Sequence, residues 1–376
     1  MKKILIFGMV DSIHTARWIE RVVDRNCEIH ILPSRKHRRV HPLLQQLINE
    51  NENLRLLQCF RVPKISPYLN YLISKVSAPS LSLQNLLLKR IVSRKRYSYI
   101  HALEIQHAGY LLVKAKSAIH VDTKVICTNW GSDIYFFSQF DAHLSKIKEV
   151  LGISHFYSAE CARDYELARK MGFRGVALPL IPNSFKLESN VTLESDLRGR
   201  NQVIVKCYGE LFGLGGILLN VIDQFLEENL LSSALLYSVT DDLLNDAVRL
   251  EKKFPNRVQI ATIRNPMSPN QIAIEFRKAR VYIGASRSDG ISTSFLEAMN
   301  YGAFPIQTNT SCAQDWIEKG CVGRVVEPTR DALFTALNEA YSDTKEISKA
   351  AKTNLAVLRK FTEKTLLSEI SKSFYR

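Results

Sequence analysis

Two carboxylates, Asp289 and Glu297, stand on either side of a turn of small polar residues, Ser286 to Ser294. An acid beside such a turn can accept hydrogen bonds from two neighbouring hydroxyls, as the ribose-binding acids of nucleotide folds do. The apolar run Ala279–Gly284 leads in as a strand, and a short helix is expected from about Phe295 to Tyr301. Gly302 is placed to stop that helix in the left-handed conformation, and Phe304 to Ile306 opens the next strand. Strand, turn and helix start, in that order, make an anion site. The unused amides of a first helical turn and the helix dipole both favour phosphate. A purely local reading competes. Ser294 and Glu297 have the spacing of a capping box, and Asp289 is a residue type that commonly sits solvated in turns.

The elements that must hold this turn alternate between strands and helices in two blocks. In the first, Lys3–Phe7, Cys27–Leu32, Tyr97–Leu103, Lys124–Cys127 and Ile153–Tyr157 read as strands. In the second, Gln202–Tyr208, Ala234–Val239, Val258–Ile263 and Ala279–Gly284 do so, with helices between them. Alternation of this kind predicts an α/β chain of two doubly wound domains facing a cleft. A chain of 376 residues is also too long for one ordinary core. Pro179, Pro182 and the polar stretch to Arg200 mark the linker. The expected division is residues 1–190, residues 191–358, and a C-terminal helix over 359–376, the last of a helical tail from Asp343.

Charge separates the halves. Residues 1–190 carry 28 Lys and Arg against 15 Asp and Glu, a net +13, whereas residues 191–376 carry 23 against 22, a net +1. The first half therefore meets an anionic partner: an anionic membrane face, an anionic lipid-linked acceptor or nucleic acid. Nucleic acid is not expected, because no recognisable motif accompanies the basic runs and aromatics are not interleaved with them. The basic runs are Arg35–His41 and Lys89–Arg96. The second ends a helix beginning near Ser82, with Leu83, Leu86, Leu87, Ile91 and Val92 at helical spacing, packed on the core or laid on a bilayer. No run approaches the roughly 20 apolar residues of a membrane span. Seven scattered cysteines without a C-x-x-C pair indicate neither a disulfide framework nor a zinc site, and fit a reducing, cytoplasmic setting.

Ligands of open α/β sheets bind at the carboxyl ends of strands. In the first block those ends carry Ser12 and His14, then His101, Glu104 and His107, then Asn129 to Asp133. Ser12 also suits a helix N-cap. Each histidine has an ordinary structural role open to it.

Over the key turn the sequence resembles the donor-site signature of family 4 retaining glycosyltransferases, which have the GT-B fold. The signature is an acid, seven residues, Glu, Ala-Met and Gly-x-Pro. Here it reads Asp289, Glu297, Ala298, Met299, Gly302 and Pro305, with Asp in place of the usual first Glu and one extra residue before the proline. The resemblance implies transfer of a sugar from a nucleotide-sugar donor to a glycan or lipid-linked acceptor in surface polysaccharide synthesis, with no bound metal or other cofactor. It also implies that the last helix crosses back to the first domain. Glu297 would hold the ribose diol and Asp289 the sugar hydroxyls. Gly290, Ile291, Ser292 and Thr293 would present amides to the phosphate or sugar, while Lys206 and Arg287 offset leaving-group charge. His14, His107 and Asp133 would face the acceptor, with catalysis assigned to Asp289, His107, Asp133 and His14. One departure is large. Where the family carries an Arg and a Lys for the diphosphate, this chain has Glu210 and Gly215, so the glycines at 213, 215 and 216 are left to bring amides to a phosphate. That departure also motivates the alternative of a non-catalytic GT-B binding or partner subunit.

Overall fold

Ile4, Leu5, Ile6 and Phe7 are fully buried, as a strand covered on both faces must be, and this run is an inner strand of the first sheet. The structure is a computed structural model, and it describes residues 1–23, 26–57, 83–182, 185, 187, 191, 193, 199–209 and 211–376. Two bodies divide the chain, residues 1–184 with 367–376 and residues 185–366. Most of the expected linker, and Ser82 and Glu210, lie outside the described residues.

In the first body the described strands are β1 (Lys2–Gly8), β2 (Cys27–Pro33), β3 (Leu54–Leu56), β4 (Tyr99–Leu103), β5 (Lys124–Thr128), β6 (Phe156–Ser158) and β7 (Val176–Ala177). They form one sheet in the order β3-β2-β1-β4-β5-β6-β7, every pair parallel. The order reverses between β1 and β4, so the loops after these two strands lie side by side at the carboxyl edge. β3 and β7 escaped the sequence reading because strands of three and two residues carry no period. Ser12 caps the helix Ile13–Val22, its hydroxyl accepting from the His14 amide at 3.2 Å.

The helix Leu83–Arg94 corrects the expected apolar face. Leu88 and Val92 enter the core with Ile91 beside them, while Leu86 and Leu87 point to solvent.

His101 is buried and structural. Its ring accepts or donates to the Tyr375 hydroxyl at 2.6 Å and the Thr128 hydroxyl at 2.6 Å, and burial pulls its pKa down to about 3. The Trp18 indole donates to the same Tyr375 hydroxyl at 3.2 Å, which ties residues 367–376 to this body. Tyr375→Phe leaves a buried imidazole nitrogen and a buried indole N–H short of a partner. It is expected to destabilise this body by about 1–3 kcal/mol in urea unfolding, with donor-site properties unchanged.

In the second body β8 (Gln202–Lys206), β9 (Ser233–Val239), β10 (Val258–Thr262), β11 (Ala279–Gly284), β12 (Phe304–Thr308) and β13 (Arg324–Val326) form a parallel sheet ordered β10-β9-β8-β11-β12-β13. Helices Gly215–Glu227 and Arg330–Ser342 bury Leu218, Ile222, Phe225, Leu333 and Leu337 against it. Here the strand order reverses between β8 and β11, which puts the glycine-rich loop after β8 beside the key turn after β11. Cys27, Cys127, Cys207 and Cys321 are buried and form no disulfide, in keeping with their reading as small hydrophobes. Among the described residues no helix is long and apolar enough to cross a membrane.

Candidate active site

The key turn folds as the sequence requires, with one correction. Its helix runs Thr293–Tyr301 with Ser292 at the N-cap and no side-chain cap, so Ser294 lies inside the helix. Glu297 is therefore in the second turn rather than at the third position, and the capping box does not form. The Phe295 and Leu296 amides both reach the Ser292 carbonyl, at 3.0 and 3.3 Å, which leaves the amides before Phe295 outside the helical ladder. Gly302 adopts φ 83° and ends the helix as expected.

Asp289 and Glu297 converge on one tyrosine. Tyr282, buried in β11, donates to Gln307 Oε1 at 3.2 Å and lies 3.4 Å from the Ser292 hydroxyl. Burial first, and then the charges of both Asp289 and Glu297, push its pKa upward. Tyr208 is raised by burial and by Asp289, Tyr237 by burial and, among neighbouring groups, by Tyr282 and Glu297. Each of these three buried tyrosines thus feels the charge of at least one of the two acids. The sequence reading missed them, although two lie on strands and one just beyond a strand end, where a polar tip on an apolar ring is the available signal.

Glu297 lines a pocket of about 340 Å³ with Tyr237, Ser238, Thr262, Ile263, Pro266 and Met267. These come from the ends of β9 and β10, which the sequence reading passed over. The backbone there is unusual. Ser238 adopts φ 56°, and the β9–β10 register shifts between Ile260 and Thr262. Bulges and left-handed non-glycine residues gather beside functional sites.

The glycine-rich loop is zipped to the key turn. The Arg287 amide donates to the Phe212 carbonyl at 2.7 Å, the Leu214 amide to Ala285 at 3.2 Å, and Gly213 bridges Ser286. Gly213 and Gly215 spend their own amides on the Gly209 and Tyr208 carbonyls, both at 2.9 Å. A side chain at Gly213 would meet the Tyr208 carbonyl at 1.9 Å. These glycines serve close backbone packing, which corrects the expectation that their amides reach a phosphate. Lys206 ends β8 with its ammonium 4.9 Å from the Tyr208 ring centre. Arg287 is exposed and borders a second pocket, of about 710 Å³, with Gly209, Gly213, Asp242 and Arg249. Gly290 accepts from the Cys312 amide at 2.7 Å, while Ile291 is buried and Thr293 half-buried.

In the first body the structure places the three acceptor-side residues in helical segments that follow β1, β4 and β5, at the carboxyl ends of these strands. The His14 ring lies 5.1 Å from Trp130. Asp133 is buried, and its carboxylate accepts from the Ile105 and Trp130 amides, both at 2.9 Å. Burial and the charge of Glu104 push its pKa well up. Both oxygens of Glu104 are also engaged, one with the His107 amide at 2.8 Å and one with the Ala108 amide at 2.5 Å. Glu104 adopts φ 93°, and burial raises its pKa to about 7. Asp133 is thus occupied in holding two loops together. The exposed His107 ring has its pKa lowered by partial desolvation and by Arg35, so it stands neutral near pH 7.

Residues 3–152 match the family described as glycosyl transferase 4-like, and residues 251–355 match the glycosyl transferases group 1, which spans the key turn. The chain belongs to the group 1 glycosyltransferases. No curated protein sequence matches this glycosyltransferase. Its solved structural neighbours share its two-domain GT-B fold. One is HepE from Anabaena in complex with UDP and glucose, 16% identical over 99% of each chain with a TM-score of 0.70. Another is sucrose-phosphate synthase from Thermosynechococcus elongatus, 12% identical over 99% of this chain and 98% of that one, with a TM-score of 0.73. The lipopolysaccharide outer core galactosyltransferase WaaB, in its apo form, is 13% identical over 99% and 98%, with a TM-score of 0.66.

Proposed function

We propose that this glycosyltransferase moves a hexose from a uridine diphosphate sugar to a glycan or lipid-linked acceptor, retaining the anomeric configuration. The reaction falls in surface polysaccharide synthesis (lipopolysaccharide, O-antigen or capsule), at the cytoplasmic face of the membrane. The observation that carries the reading is Glu297 on the wall of the 340 Å³ pocket, with Asp289 sharing Tyr282 beside it. A nucleoside base fits the pocket formed by Tyr237, Ser238 and Thr262–Met267, its ribose diol on Glu297. The amides of Gly290 to Thr293 then meet the diphosphate or the sugar, and Asp289 orients sugar hydroxyls. UDP in the HepE complex supports the choice of nucleotide.

Departure of the diphosphate builds negative charge, which fixed donors stabilise most in the transition state. Lys206 and Arg287 are the side chains assigned to this, with no resident metal or cofactor required. In the acceptor-side first domain, His14 and the neutral His107 are assigned to the acceptor. Asp133 becomes a positioning residue, because its carboxylate already serves two backbone amides.

Thermal-shift titration with UDP, GDP and ADP, each alone and as its glucose ester, tests the reading. A rise in melting temperature with the uridine ligands is expected, since a ligand bound only by the folded state stabilises it. No shift with any of the six defeats it. The second reading, a binding subunit without turnover, draws on the spent amides of Gly213 and Gly215. Slow hydrolysis of bound donor without acceptor supports the enzyme, and binding with no hydrolysis under any condition supports the subunit. Arg287→Ala is expected to slow that hydrolysis about tenfold or more, the weight of one charge-assisted contact, with little change in melting temperature. Its backbone anchor to Phe212 does not involve the side chain.

A further inference from the structure

Helix Leu83–Arg94 carries two opposed stripes. Leu88 and Val92 pack into the first body's core with Leu112, Ala115 and Val125. On the other side Leu86, Leu87, Arg90 and Arg94 follow one another at helical spacing. Leu86 is 52% exposed and Leu87 47%. The helix packs on residues 110–118, whose Lys114 and Lys116 are exposed, and the loop that follows them carries Val121, 86% exposed. Over residues 85–96 and 110–122 the sequence places seven cations and one acid, Asp122. The acids reaching in from outside are few. Glu149 meets Lys116 at 4.0 Å, and Glu28 meets Lys95 at 3.5 Å. Arg90, Arg94 and Arg96 have no ion pair among the described residues.

Large apolar side chains held in water, inside a field of uncompensated positive charge, fit a surface that offers both anions and a hydrocarbon boundary. We propose that this helix face docks the enzyme on an anionic lipid bilayer. Leu86 and Leu87 enter the headgroup–acyl boundary, and Arg90 and Arg94 meet lipid phosphates. Neither component is strong alone. A few cations near an anionic surface and a short apolar contact give reversible, salt-sensitive attachment, which suits a peripheral enzyme. The exposed leucines decide against nucleic acid, which has no apolar boundary to receive them. The inference deepens the membrane-side part of the function proposed above. It uses none of the donor-site residues, so the two can fail separately.

Sedimentation of the full chain with vesicles tests it. Vesicles of equal parts phosphatidylcholine and phosphatidylglycerol are expected to bind the wild type, and pure phosphatidylcholine vesicles to leave it in solution. The double variants Leu86→Ser with Leu87→Ser, and Arg90→Gln with Arg94→Gln, should each weaken binding about tenfold or more. Added salt should weaken the wild type in the same direction. Both variants should keep the wild-type melting temperature and donor hydrolysis, since these side chains face solvent. Failure of the wild type to bind mixed vesicles overturns the inference, as does unchanged binding by either double variant. Tighter binding to single-stranded RNA than to mixed vesicles, lost in the arginine pair and kept in the leucine pair, also overturns it and assigns the face to nucleic acid.

Discussion

Glu297→Ala is expected to cut the affinity for UDP about ten- to hundredfold while leaving the fold in place. The side chain is assigned two hydrogen bonds from the ribose diol, each strengthened by the carboxylate charge, and water recovers only part of that. Glu297 takes no part in the N-cap, because Ser292 starts the helix without a side-chain cap, so the fold is expected to survive its loss. Isothermal titration with UDP, set beside a melting curve, reads the two effects separately. A variant that melts many degrees lower yet binds UDP as before would show that the acid is structural. Glu297→Gln sharpens the comparison: it keeps the shape and one acceptor, so it should fall between the wild type and alanine.

This residue also shows what the sequence could and could not reveal. Asp289, Glu297 and Gly302 were legible because a turn between a buried strand and a short helix leaves them few places to go. The cap was misplaced by two residues. Ser292, Ser294 and Thr293 are all good cap formers, and only the backbone decides among them. The pocket walls from β9 and β10 were illegible for a different reason. Tyr237, Ser238 and Thr262 lie far from the key turn in sequence, and the strand order that brings β9 and β10 near it is not written in any one strand's alternation. The glycines at 213 and 215 misled because the same residue type serves a phosphate and a tight backbone crossing equally well. The parallel, doubly wound character of both sheets, in contrast, followed from the alternation of strands with helices, since parallel strands must be joined by crossovers. The helix Leu83–Arg94 was found, but its face was turned wrongly, because Leu86, Leu87 and Leu88 are chemically alike and the core takes only the last.

The stability of the first body is expected to fall as pH rises from 5 to 8, and Glu104→Gln to flatten that slope. Glu104 is buried, and burial outweighs the two amides that favour its charged form, so its folded pKa stands at about 7. An ordinary unfolded glutamate titrates near 4.3. Between these values the folded state binds more protons than the unfolded one, so unfolding becomes easier as pH increases. A shift of this size corresponds to about 3 kcal/mol lost across the window. Asp133 is raised by burial and by the charge on Glu104, so it acts in the same direction. Glutamine carries no charge but keeps an acceptor for only one of the His107 and Ala108 amides, turning its NH2 toward the other. The variant should therefore start below the wild type near pH 5 and lose less stability by pH 8. Alanine removes the acceptors altogether and should be weaker at every pH, by about 2–4 kcal/mol for two buried amides left unpaired. Trp18 and Trp130 belong to this body and Trp316 to the other, so urea unfolding followed by tryptophan emission in a Trp316→Phe background isolates the effect. A wild-type curve that is flat, or that rises between pH 5 and pH 8, would mean that Glu104 is ionised throughout.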